Sequence, residues 1–317
     1  MLITGGAGFV GSFLAEELLN RGYSVTAVDN LSTGKLENIN HLKGNSKFEF
    51  ITGDILDEPL MDRLTEKCQR IFHLAAAVGV KLIIERPVET IETNIMGTEV
   101  LYKYANKHKK KIIVASTSEV YGKNNEIPFK ETDDSVYGPT TKSRWSYACS
   151  KAIDEFLGLA YFHEKKLPIT IVRLFNTIGP RQTGRYGMVV PTFVRQALLG
   201  HSITVFGDGE QTRCFANVKD IVWAMVELSE RKEAEGHVFN IGTDELISIK
   251  DLAEKTRKLC GSDSEIQFIP YDKAYEEGFE DMSQRMPDIT KVSEATGFKP
   301  KYNLEQTIKE IIEYFKQ

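Results

Sequence analysis

The feature that most constrains this chain is the segment Thr4-Gly5-Gly6-Ala7-Gly8-Phe9-Val10-Gly11, set between a short apolar run and a stretch with Phe13, Leu14, Leu18 and Leu19 on one helical stripe. A strand that turns sharply into a helix needs glycine at the turn, and a pyrophosphate can approach the backbone only where side chains are absent. Free N–H groups and the dipole of the helix N-terminus complete such an anion site. Gly5, Gly8 and Gly11 meet these needs, although a glycine trio alone is equally a feature of ordinary tight turns. Asp29 supplies the second requirement. It ends the next β-branched run about 20 residues on, where a carboxylate accepts hydrogen bonds from ribose hydroxyls and repels a 2′-phosphate, so NAD is expected rather than NADP.

Short β-branched runs at residues 2–4, 24–28, 48–51, 71–74, 112–115 and 169–173 alternate with longer helical patterns. Parallel strands need crossover connections, and helices then cover both faces of the sheet. The expected fold is therefore α/β: a Rossmann-like doubly wound parallel sheet with a smaller C-terminal α/β substrate lobe. The pattern loosens after residue 176. The expected division is a NAD-binding domain over 1–176, with a return segment near 211–236, and a second lobe over 177–317.

A net charge of -5 and a pI near 5.8 give no basic surface for nucleic acid. No apolar run approaches the roughly 20 residues that span a bilayer, and no targeting pattern is visible, so a cytoplasmic protein without a membrane partner is expected. The four cysteines, Cys68, Cys149, Cys214 and Cys260, are far apart and show no metal-ligand spacing, so no metal site is expected.

Tyr147 and Lys151 lie four residues apart on a predicted helix, which places them on one face. The helix is expected to bury Ile153, Phe156, Leu157 and Ala160 and to leave the Tyr-Lys pair exposed. An ammonium beside a phenol, together with the positive nicotinamide, would stabilise the phenolate and lower the tyrosine pKa toward that of a working base. This spacing alone is mostly coincidental. Here, however, the fifth strand runs into Ser116-Thr117-Ser118-Glu119-Val120-Tyr121-Gly122, so hydroxyls and a carboxylate fall just beyond a strand's C-terminal end, where α/β sheets place ligands.

Taken with Gly53-Asp54-Ile55, His73-Leu74-Ala75-Ala76, Asn94 and Arg173-Leu174-Phe175-Asn176, these segments resemble the extended short-chain dehydrogenase/reductases, the NAD-dependent epimerase/dehydratase family acting on nucleotide sugars. The resemblance covers nearly the whole chain. It implies that the cofactor is touched by Gly5, Gly8, Phe9, Val10, Gly11, Asp29, Asn30, Ser32, Thr33, Gly34, Asp54, Ile55, Leu74, Ala75 and Ala76. Asn94 would hold the sheet-end geometry, and Tyr147 and Lys151 would serve both cofactor and catalysis. Thr117 would hydrogen-bond the sugar 4-hydroxyl while Tyr147 removes its proton, giving a 4-keto sugar, with Ser118 and Glu119 beside it. Asn176, Arg213 and Arg285 would hold the diphosphate, and Asp288 the ribose. Val189 and Arg185 belong to a glycine-rich substrate loop, where Arg185, ahead of Arg181, would face an ionised C6 and favour UDP-glucuronate over UDP-glucose.

The fate of the ketone separates the family's reactions. A 4-epimerase turns it over and returns hydride to the other face. In a decarboxylase the C4 ketone is β to a C6 carboxylate, carbon dioxide leaves, and an acid such as Glu119 protonates C5. Thr117-Ser118-Glu119 resembles UDP-glucuronate decarboxylases, and Lys142-Ser143-Arg144-Trp145-Ser146-Tyr147 is similar to decarboxylating relatives such as UDP-apiose synthase. Segment 173–191 as a unit resembles UDP-glucuronate and UDP-glucose 4-epimerases, and the arginine-centred segment that xylose-forming decarboxylases carry before the catalytic tyrosine is read as absent. Ser118, where 4,6-dehydratases carry Asp, speaks against dehydration. The expectation is thus a UDP-sugar 4-epimerase acting as a homodimer, with a UDP-glucuronate decarboxylase as the alternative and a non-catalytic NAD sensor as a remote one.

Overall fold

The protein is represented by a computed structural model that describes residues 1–78, 85–184, 188–270 and 284–317. Its strands are β1 (Leu2–Thr4), β2 (Val25–Asp29), β3 (Phe48–Thr52), β4 (Arg70–His73), β5 (Lys111–Thr117), β6 (Ile169–Leu174), β7 (Thr177–Ile178), β8 (Ile203–Phe206), β9 (Thr212–Cys214), β10 (Ala216–Asn217), β11 (His237–Ile241), β12 (Leu246–Ser248), β13 (Ile266–Ile269) and β14 (Gln284–Arg285). The helices described are α1 (Phe9–Asn20), α2 (Glu58–Lys67), α3 (Pro87–Lys107), α4 (Arg144–Lys165), α5 (Val189–Leu198), α6 (Val218–Glu230), α7 (Ile249–Cys260), α8 (Thr290–Thr296) and α9 (Leu304–Lys316).

The central sheet has seven strands in the order β11-β6-β5-β4-β1-β2-β3, all parallel. From β1 the chain winds outward to β2 and β3, then crosses back to β4 on the other side and winds the opposite way. Strand order reverses beside β1, which opens a crevice at the C-terminal strand ends, the place where such sheets bind ligands. Both faces are covered, so the central strands are nearly continuous in apolar residues. On one face Phe13, Leu14 and Leu18 of α1 pack with Val222 and Met225 of α6. On the other, Leu60 and Leu64 of α2 and Leu101 and Tyr102 of α3 pack on Ile112 and Ile171.

The doubly wound expectation holds, with one more strand than the sequence suggests. β11 joins the sheet beyond β6 and so carries the return of the chain past residue 236, and Val292 and Phe298 come back to the same core. The smaller lobe has its own core of Val190, Phe193, Ile203, Leu252 and Ile308. There β9 lies between β12 and β14, and the pairing sets Arg285 opposite Arg213.

Helix α4 is turned from the expected orientation, and of the four residues expected to be buried only Leu157 packs, half-buried, against the core. Tyr147, Lys151, Asp154 and Glu155 are buried, whereas Ile153 and Phe156 are exposed, Phe156 by 72%. The polar residues face inward because each finds a partner there, and the apolar ones form an outer surface that resembles a core stripe in sequence. Ala160 is exposed on the same side. Among the described residues no helix is long and apolar enough to cross a membrane.

Candidate active site

A cleft of about 1240 Å³ runs along the C-terminal strand ends and out between the sheet and the smaller lobe. At its inner end the chain turns from β1 into α1. Gly5 has φ of +73°, and a Cβ there would come within 2.8 Å of the Ala75 backbone nitrogen. A Cβ on Gly11 would lie 2.1 Å from the Gly5 carbonyl oxygen. The turn therefore closes only with glycine, and it leaves the first N–H groups of α1 facing the cleft, beside Gly8, Phe9 and Val10.

Asp29 ends β2 with one carboxylate oxygen accepting from the Ala7 N–H at 3.0 Å and the other from the Leu31 N–H at 2.8 Å. Burial pushes its carboxyl above the ordinary range, against the pull of these backbone bonds. Asn30, Ser32 and Thr33 line the cleft beside it. Gly34 does not line it, but a Cβ there would meet an Asp29 oxygen at 2.7 Å, so its role is to let the loop cross the carboxylate. Asp54 is held by the Asn30 side chain at 2.8 Å, and Ile55, Leu74, Ala75 and Ala76 continue the wall. A bare backbone turn at a helix start, with a fixed carboxylate at the end of β2, fits NAD. Asn94 stands behind this wall: its Oδ1 accepts the Ala77 N–H at 2.8 Å and its Nδ2 donates to Ser150 Oγ at 3.2 Å, tying the post-β4 loop to α4.

Thr117 ends β5, and its Oγ1 accepts the Glu119 N–H at 3.2 Å, capping the single turn Ser118–Tyr121. The Tyr147 phenol reaches Thr117 from α4. Burial and then the Glu119 charge push Tyr147 well up, while the Thr117 hydrogen bond and Arg144 pull the other way. The Lys151 ammonium, expected to act on Tyr147 together with the nicotinamide, is 2.8 Å from Asp154 Oδ2. Ser118 is buried at the cleft wall.

Glu119 is held by two cations. Arg144 Nη1 lies 2.5 Å from one of its oxygens and Arg285 Nη2 lies 2.7 Å from the other. Although burial raises the Glu119 carboxyl, the two guanidinium groups outweigh it and hold the pKa at about 2. Glu119 is thus an ionised carboxylate, and the expected role as an acid toward C5 does not fit its surroundings. Arg285, expected on the diphosphate, is instead aimed at Glu119. Arg144, whose segment the sequence marks without a role, is the residue missed.

In the smaller lobe Asn176, Val189 and Arg213 line the cleft, and Asn176 Nδ2 donates to the Cys214 carbonyl at 2.9 Å. Arg213 Nη1 donates to the Thr212 carbonyl at 2.8 Å. Asp288 does not line the cleft; its carboxylate accepts the Thr290 N–H at 2.8 Å, just before α8. Arg181 is bound to α1, 2.5 Å from Glu16 and 3.2 Å from Ser12 Oγ, with its guanidinium over the Phe13 ring. Arg185 lies outside the described residues.

Fold and cleft together define a NAD-type dinucleotide fold in which Thr117 and Tyr147 meet at the strand ends, while Lys151 is buried behind the cleft lining, the class of the extended short-chain dehydrogenase/reductases. The family profile described as GDP-mannose 4,6 dehydratase matches residues 2–311, and the chain belongs to that NAD-dependent epimerase/dehydratase family. It is 47% identical over 317 residues to the UDP-N-acetyl-alpha-D-glucosaminuronate decarboxylase of Bacillus cytotoxicus, covering 100% of this chain and 97% of that protein. It is 36% identical to UDP-glucuronic acid decarboxylase 1 of Xenopus tropicalis, covering 100% of this chain and 72% of that protein. A solved structure of a UDP-glucuronic acid 4-epimerase variant from Bacillus cereus, in complex with UDP-4-deoxy-4-fluoro-glucuronic acid and NAD, superposes with a TM-score of 0.89 at 31% identity, covering 100% of this chain and 98% of that one.

These matches overturn the 4-epimerase expectation. The epimerase structure shares the fold, but the 47% identical relative is a decarboxylase. In the structure Arg144, within segment 142–147, is a buried arginine paired with Glu119, a contact that the sequence reading does not foresee.

Proposed function

We propose that this enzyme is an NAD-dependent decarboxylase of a UDP-linked uronate, with an N-acetylated uronate and UDP-glucuronate as the two candidate substrates. The observation that carries the reading is the buried Arg144–Glu119–Arg285 cluster placed against Thr117 and Tyr147. A neutral UDP-hexose asks for no such cations beside C4, whereas the C6 carboxylate of a uronate must be oriented. The relatives named as decarboxylases support the same choice.

In this reading Gly5, Gly8, Gly11 and Asp29 hold the cofactor, and Lys151 and Tyr147 face its nicotinamide half. The chemistry the nicotinamide supplies when bound is acceptance of hydride from the sugar C4 and its later return. Thr117 hydrogen-bonds the C4 hydroxyl while the Tyr147 phenolate takes its proton. With C4 a ketone, the C5–C6 bond breaks, carbon dioxide leaves, the electron pair moves into the enolate at O4, and C5 then takes a proton from solvent water to give the 4-keto pentose. Arg144 and Arg285, fixed by Glu119, orient the C6 carboxylate for this step. Arg213 and Asn176 serve the diphosphate.

The exposed apolar residues of α3 and α4, among them Val88, Met96, Ile153 and Phe156, support a homodimer formed through these helices. The substrate reading is tested by adding UDP-uronates and neutral UDP-hexoses separately to the NAD-loaded enzyme. Turnover is expected with uronates alone, and turnover of UDP-glucose to UDP-galactose would defeat it.

A further inference from the structure

Lys151 is parked on a carboxylate of its own helix. Its ammonium lies 2.8 Å from Asp154 Oδ2, one turn further along α4, and both side chains are closed off from water, 3% and 1% exposed. The surroundings leave Asp154 no other cation within reach among the described residues. His73 on β4 packs nearby, but burial, then the charge of Lys151, lower it to about 3, so it stays neutral. It is spoken for by Thr4 Oγ1 at 2.8 Å and Thr98 Oγ1 at 3.0 Å. Tyr102 of α3 donates its hydroxyl to the Asp154 backbone carbonyl at 3.0 Å, and the neighbouring Glu155 is taken by Arg173 at 2.7 Å.

Tyr147 is one turn before Lys151 on the same buried face, with Glu119 and Arg144 on its other side. We infer that Asp154 is a positioning residue which, through Lys151, sets the pH at which Tyr147 becomes a base. An ammonium has three donors. One is committed to Asp154, which holds the ammonium against its own helix and offsets part of its positive charge. The Asp154 charge opposes the phenolate directly as well, after burial and Glu119. The device keeps Tyr147 a phenol until the working pH is reached and keeps Lys151 from swinging away.

This inference rests on the proposed role of Tyr147 as the C4 base, and its test separates the two. NAD-loaded Asp154→Asn and Asp154→Ser, each paired with its own Tyr147→Phe counterpart, are titrated by ultraviolet absorbance, so that the difference reports the Tyr147 phenolate without any substrate. The midpoint is expected to fall by about one pH unit in both variants, with the acidic limb of kcat moving the same way. Asp154→Glu, which restores the charge, is expected to return both toward wild type. A midpoint unmoved or raised in the charge-free variants overturns the inference, as does failure of both to fold, which assigns the carboxylate to the fold instead. Failure of the decarboxylase reading shows differently, as absent turnover of UDP-uronates with the phenolate shift intact.

Discussion

Arg144 and Glu119 form a buried ion pair at 2.5 Å, joining the first residue of α4 to the turn that follows β5. The pair fixes the guanidinium beside the Thr117–Tyr147 hydrogen bond, so its loss touches both fold and chemistry. Removing one partner of a buried pair leaves an uncompensated charge and costs roughly 3–5 kcal/mol. Arg144→Met is expected to lower unfolding free energy by about 3 kcal/mol, and to slow turnover of a UDP-uronate roughly 100-fold. Denaturant titration and steady-state kinetics check both. Arg144→Lys should recover stability better than activity, because an ammonium lacks the planar fork.

The same cluster predicts an acid-side instability. The Glu119 pKa is held at about 2, below its unfolded value of 4.5, so its stabilisation is fully present above about pH 4.5 and is lost as pH falls toward 2. Unfolding free energy measured across that window should fall less steeply in Glu119→Gln than in wild type, from a lower starting value. Equal slopes would show that Glu119 is not held low.

Tyr147→Phe removes the proposed base without emptying its space. Turnover is expected to drop roughly 1000-fold, with NAD content of the purified protein unchanged. Thr117→Val should cause a smaller fall, about tenfold to a hundredfold.

Asp29→Ala removes the carboxylate at the end of β2. Loss of charged hydrogen bonds to the ribose is expected to weaken NAD about tenfold to a hundredfold, while NADP binding should weaken less or improve. Calorimetric titration with both dinucleotides reads this directly.

Phe156→Glu places a charge on the most exposed apolar residue of α4. If α3 and α4 form the proposed dimer contact, this variant should elute as a monomer with its fold intact, measured by light scattering. An unchanged molar mass would place the contact elsewhere or remove it.

What could be read from the sequence is what is local. Gly5 to Gly11 and Asp29 announce the cofactor end because a turn, a helix start and a strand end each need particular residues within a short span. Tyr147 and Lys151 are found by helical spacing. The facing of α4 is misread because Ile153 and Phe156, apolar but outward, carry the same pattern as a core stripe. Arg285 reaches Glu119 only through β14 lying in register beside β9, and no spacing along the chain shows that pairing. Asp288 illustrates the converse: an acidic residue in a family-like context accepts a local backbone N–H and stands off the cleft lining. Asp154 escapes notice for a third reason, since a carboxylate three residues after a lysine reads as a solvated helix pair until burial is known.

The central claim is that the carbon at C6 leaves the sugar. NAD-loaded enzyme incubated with UDP-N-acetylglucosaminuronate or UDP-glucuronate carrying ¹³C at C6 should release labelled carbon dioxide in proportion to substrate consumed, leaving an unlabelled UDP-pentose or its 4-keto form. Retention of all label in a UDP-hexuronate inverted at C4 would contradict the account.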